Sequence, residues 1–132
     1  MKKEIAKNTY YEMYVDQEIN RAYWVFKGKW DKMSDLPNYM HDNREVLRHV
    51  KPGFTVVTDI RTFEMPSPKI LEVITESAKE VESAGMRRQA HIIDKKNLEA
   101  IRASRGAMKE ADMDLKMMQF GSYEEAIEWL NR

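Results

Sequence analysis

The stretch Phe54-Thr55-Val56-Val57-Thr58-Asp59-Ile60 constrains this chain more than any other. It is β-branched and apolar at both alternating sets of positions, the pattern of a strand covered on both faces. Such a strand needs a layer on each side, and helical patterns flank it. Upstream, Leu36, Tyr39 or Met40, Asn43, Val46 or Leu47, and Val50 fall on one helical stripe, with Ser34 as the expected cap and Lys51-Pro52-Gly53 as the stop. Downstream, Ser67 is placed to cap a helix and Pro68 to occupy its first position, where a missing N–H costs nothing. Ile70, Ile74, Ala78 and Val81 then form its apolar stripe, which ends near Gly85.

The rest of the chain continues the alternation. Tyr10 to Val15 and Arg21 to Gly28 alternate about the polar turn Asp16 to Asn20 and predict an antiparallel hairpin. Arg87 to Asp94 predicts a fourth strand, and Asn97 to Met113 a third helix containing Gly106, whose cost of ~1 kcal/mol against alanine suggests close packing. A short fifth strand over Leu115 to Phe120 leads into a final helix opened by Ser122 and Glu125. The expected fold is therefore α/β: one domain over residues 1–132 in the order ββαβαβαβα. Its central sheet is mostly parallel, with an opening antiparallel hairpin and helices packed on it. The turn Gly28 to Asp35 has one glycine and a tryptophan, which argues against a dinucleotide-binding loop.

Charge and composition narrow the partners. Lys plus Arg number 22 and so do Asp plus Glu, with no long run of one sign, so nothing here forms an electrostatic footprint for nucleic acid. Cysteine is absent, which removes disulfides, thiolate zinc sites and cysteine nucleophiles and fits a cytoplasmic location. The basic residues at the start lack the apolar core of a signal peptide, and no window is long enough to span a bilayer.

The opening hairpin, the strand ending in Asp59-Ile60-Arg61 and the closing Glu124-Glu125-Ala126-Ile127-Glu128-Trp129-Leu130 together resemble the STAS superfamily. Within it, they look most like the SpoIIAA-like, or STAS/CRAL-TRIO-like, branch of small bacterial proteins. The resemblance covers nearly the whole chain. In partner-switching STAS proteins the second helix begins with Asp-Ser-Ser/Thr-Gly, whose serine is the phosphorylation switch. Here the corresponding turn reads Met65-Pro66-Ser67-Pro68-Lys69-Ile70, without that Asp or Gly. The resemblance therefore implies a fold more firmly than a mechanism.

Among candidate site residues, Asp59, Arg61 and Glu64 lie where the central strand gives way to the second helix, at the carboxyl end where open α/β sheets bind ligands. The competing role for Asp59 and Arg61 is a local ion pair, and for Ser67 a simple helix cap. His91 reads as a structural histidine. His41 and His49 lack the spacing of a helical metal pair, so no metal and no cofactor are expected. Glu124 and Glu125 suit the first turn of a helix. Of the ten methionines, Met108, Met117 and Met118 could line an apolar pocket or fill a core, and the aromatics of the hairpin could serve core or contact surface. The expected function is a non-enzymatic regulatory module acting by protein–protein contact around the loop 61–67. The alternative is a carrier or sensor of a small apolar ligand or lipid, implied by the CRAL-TRIO-like resemblance. Either is compatible with a homodimer.

Overall fold

The computed structural model describes residues 1–97 and 116–132. Six strands form one sheet: β1 (Lys3–Lys7), β2 (Tyr11–Asp16), β3 (Arg21–Gly28), β4 (Thr55–Phe63), β5 (Arg88–Ile92) and β6 (Met117–Phe120). The described α-helices are α1 (Tyr39–Arg48), α2 (Pro68–Ser83) and α3 (Tyr123–Leu130). The third helix expected over Asn97 to Met113, with Gly106 and Met108, lies outside the described residues.

Spatial order follows chain order, β1-β2-β3-β4-β5-β6. The first three strands are antiparallel, and β3 through β6 run parallel. Each parallel crossover thus steps one strand in the same direction, and a shared crossover hand keeps α1 and α2 on one face. The other face is covered by α3. Two cores result, because neighbouring strand residues point to opposite sides. Trp24 and Val56 join Met13, Tyr39, Val46, Ile70 and Val81 in the larger core under α1 and α2. Tyr23 and Val57 join Ala90, Ile92, Ala126 and Leu130 in the smaller core under α3.

Two expectations about elements need correction. The hairpin is extended by β1, a strand that the polar pattern Lys-Glu-Ile-Ala-Lys did not announce. Only its Ile5 and Ala6 are partly buried, so it carries the charged, lightly packed character of an edge strand. Helix α1 also begins later than expected. A single 3₁₀ turn, Met33–Asp35, precedes Pro37, and Leu36 at φ −128°, ψ 48° has left the helical region, which the residue before a proline avoids. Asn38, not Ser34, stands at the N-cap of α1, without a side-chain capping bond.

The other helix signals match the structure. Ser67 Oγ accepts the Ile70 N–H at 3.4 Å with Pro68 at the first position of α2, and Ser122 Oγ accepts the Glu125 N–H at 3.3 Å. Gly85 ends the α2 segment at φ +101°, and a Cβ there would meet Pro52 Cα at 2.9 Å. Its carbonyl takes the Gly53 N–H at 2.7 Å, which ties the end of α2 to the turn before β4.

Candidate functional site

The carboxyl end of β4 is shaped by an irregularity. Its register with β3 passes from Val25↔Asp59 to Lys27↔Thr62, so β4 carries an extra residue over this interval and bends. The Arg61 N–H turns to Asp59 Oδ1 at 3.2 Å, and the same carboxylate receives Arg61 Nε at 3.0 Å and Nη2 at 2.7 Å. From α3, the Tyr123 hydroxyl donates to Asp59 Oδ2 at 3.1 Å. Asp59 is buried, and burial alone would raise its pKa, but the bonds and charge of Arg61 outweigh it and hold the carboxyl below the usual range. Burial and the neighbouring Asp59 push the Tyr123 phenol up.

The strand continues past this bulge to Phe63, so the connecting turn is 64–67 and shorter than the expected loop 61–67. Glu64 is exposed on it. Ser67, beyond capping α2, donates to the Asp31 carbonyl at 3.3 Å. The structure thus brings Asp59 and Arg61 together in a closed arrangement with Tyr123, and leaves Glu64 at the surface nearby. Met65, 77% exposed, and Leu71 are apolar side chains left open to solvent at the start of α2.

On the opposite face, a cavity of about 270 Å³ lies between the sheet and helices α1 and α2. Its apolar walls include Phe26, Val56, Phe63, Ile74, Ala78 and Met86. Four of its polar residues are mutually satisfied or bonded to backbone. Ser77 Oγ donates to the Ile74 carbonyl at 2.7 Å, so the Tyr39 hydroxyl is the donor in its 2.9 Å bond to Ser77. Burial pushes the Tyr39 phenol up to about 12, which keeps that donor protonated. Gln89 Nε2 donates to Thr58 Oγ1 at 3.0 Å.

Two other polar side chains lining the cavity have no such partner among the described residues. Trp24 Nε1, in a residue 4% exposed, and Asn43 Nδ2, in one 1% exposed, are buried donors with no acceptor there. The contrast with Trp30 is direct: its equally buried indole N–H is shared between the Tyr10 and Lys27 carbonyls at 3.2 and 3.1 Å. Native structures rarely leave such groups unpaired, and each one calls for an explanation. His91 also lines the cavity, and desolvation pushes its pKa down to about 4, so it is neutral at pH 7. None of the described lining residues carries a charge.

Among the described residues, the methionine in the cavity wall is Met86; Met117, on β6, stands beside the lining residue Gln89 without itself lining the cavity, and Met118 packs on the α3 face. The hairpin aromatics serve chiefly as core, with Trp30 in edge contact with Tyr11, Tyr39 and Phe63. Trp24 and Asn43 were not singled out as site residues from the sequence. The available signal was an asparagine on the apolar stripe of α1, a polar residue where the helix faces inward.

No protein-family model matches the chain, and no curated protein does. A solved structure does: an uncharacterized protein of the DUF3478 family with a SpoIIAA-like fold from Shewanella loihica PV-4. It superposes with a TM-score of 0.60 over 95% of this chain and 97% of its own, at 12% identity. The present chain is therefore an α/β protein of SpoIIAA-like fold, as its strand ending in Asp59-Ile60-Arg61 and its closing helix suggested. Among the described residues, no helix is long and apolar enough to cross a membrane.

Proposed function

We propose that the protein is a non-enzymatic carrier or sensor of a small, mostly apolar molecule held between the sheet and α1–α2. The observation that carries this reading is the pairing of a partly open, mostly apolar cavity with two buried donors in its wall that have no acceptor among the described residues. A cavity that served packing alone would gain nothing from Trp24 Nε1 and Asn43 Nδ2, since buried unpaired donors are destabilising. Ser77, Thr58 and Gln89 have their bonds within the protein, and among the described residues His91 has no nucleophile or acid bonded to it, which favours binding over catalysis.

The test is to extract the purified protein with organic solvent and identify co-purifying small molecules by mass spectrometry, alongside the variant Ala78→Phe. Ala78 lines the cavity, and a phenyl ring there would occupy it. A molecule bound by the wild type and lost from a folded Ala78→Phe variant is the expected result. If the wild type yields none and takes up no apolar probe, the reading fails.

A second reading is favoured by a separate observation. The exposed Met65 and Leu71, next to Glu64 and Ser67 at the start of α2, suit contact with a protein partner. Loss of a specific partner from a Met65→Lys variant of unchanged stability would support that role, and an unchanged set of partners would remove it.

A further inference from the structure

Resting on the ligand reading above, we infer that the part of the occupant held in the cavity is compact and uncharged and carries a carbonyl-type hydrogen-bond acceptor, not an acid. Three features define this class: the cavity's volume and, among the described lining residues, the lack of charge and the spare donors.

The volume limits size. An engineered cavity of about 150 Å³ is filled by benzene, so about 270 Å³ accommodates on the order of ten non-hydrogen atoms. A longer chain would have to extend out through the open side of the cavity.

The spare polar groups define the head. An indole N–H can only donate, so Trp24 requires an acceptor from whatever enters. The Asn43 amide nitrogen adds a second donor from α1, across from the sheet. A carbonyl oxygen has two lone pairs and suits donors of this kind. A carboxylate would also accept, but it would enter without a counter-charge among the described lining residues, and burying an unpaired ion is far more costly than burying a neutral dipole. Phe26, Phe63 and the aliphatic wall then contact the apolar body. Ketones, esters, amides and aldehydes with a small ring or branched chain fit this description.

The experiment titrates the ¹⁵N-labelled protein with acetophenone, ethylbenzene, benzoate and palmitate and follows the tryptophan indole N–H resonances. The Trp24 signal is identified by its loss in Trp24→Phe. Acetophenone is expected to bind at least tenfold tighter than ethylbenzene, to move the Trp24 indole resonance more than those of Trp30 and Trp129, and to outcompete benzoate and palmitate. In Trp24→Phe and in Asn43→Leu, taken as independent variants, the preference of ketone over hydrocarbon should shrink severalfold. Equal binding of acetophenone and ethylbenzene would overturn the acceptor inference and leave the cavity reading intact. Tighter binding of benzoate or of palmitate would overturn the uncharged head. Failure of all four to bind would overturn this inference and the cavity reading together.

Discussion

The two faces of the sheet treat buried polarity in opposite ways. Under α3, Asp59 is surrounded by donors: the backbone and guanidinium of Arg61 and the hydroxyl of Tyr123 occupy its oxygens. Under α1 and α2, Trp24 and Asn43 keep donors that nothing in the described structure accepts. The first arrangement is that of a structural joint, which links the bulge of β4 to α3 and leaves little for a ligand to do. The second is the arrangement that the proposed occupant would complete. Charge points to the corner at Asp59 and Arg61, whereas the proposed ligand reading rests on unsatisfied hydrogen-bonding capacity.

The largest effect should come from breaking the joint. Asp59→Ala strands the Arg61 guanidinium and the Tyr123 hydroxyl and should cost about 3 kcal/mol in urea denaturation, the low end for a buried pair because Arg61 is half exposed. Ligand uptake at the cavity should be unchanged. A loss of binding with no loss of stability would reverse the roles assigned to the two faces.

Next in size is a pH effect belonging to the cavity face. His91 has its pKa lowered to about 4 by desolvation, while in the unfolded chain it is near 6.5. Between those values the unfolded state binds the proton and the native state does not, so stability falls as pH drops from 6.5 to 4. Allowing for partial exposure of the ring, the loss should be about 2 kcal/mol and should be absent in His91→Gln. Asp59 has a depressed pKa, so its contribution is lost at lower pH, below the ordinary carboxylate value near 3.8. Denaturation curves at successive pH values separate the two faces.

A pair of conservative variants should then give opposite signs. Asn43→Leu removes an unpartnered buried donor, keeps the volume and favours the helix, so it should stabilise the protein by about 1 kcal/mol while weakening ligand binding. Tyr123→Phe removes a satisfied hydroxyl and should destabilise by about 1 kcal/mol. Equal signs in thermal melts would show that the faces do not differ as described. The smallest change serves as a reference outside both: Ser67→Ala should cost about 0.5–1 kcal/mol through loss of the α2 cap, and Ser67→Asp should cost little.

How legible each part was in the sequence follows from how local its cause is. Strand β4 announced itself because burial on two faces demands apolar residues at every position, and α2 because Ser67 and Pro68 act within one turn. Strand β1 was missed because an edge strand draws its order from β2, and its own residues carry little pattern. The start of α1 was misjudged because Pro37 was not weighed against Ser34. At the candidate site, Asp59 and Arg61 were recognised as neighbours, but their closure by Tyr123 joins residues 64 positions apart. The cavity assembles Trp24, Asn43 and His91 from three separate elements, and no spacing within the chain records that.

The agreement between strand order and chain order has a consequence for biosynthesis. As the polypeptide leaves the ribosome, each new strand from β2 to β6 meets a partner already made, so the sheet can grow by addition at one edge. Its two sides are not sheltered on the same schedule. Helices α1 and α2 emerge before β5, but α3 begins only at Tyr123, about 30 residues after Ile92, a delay of roughly 2–6 s at ordinary elongation rates. For that interval Tyr23, Val57, Ala90 and Ile92 form a nascent surface without its helical cover. This is the surface on which we expect a ribosome-associated chaperone to act. Chains stalled before residue 123 should crosslink to one through these positions, and chains carrying a C-terminal linker that brings residue 130 clear of the ribosome should not.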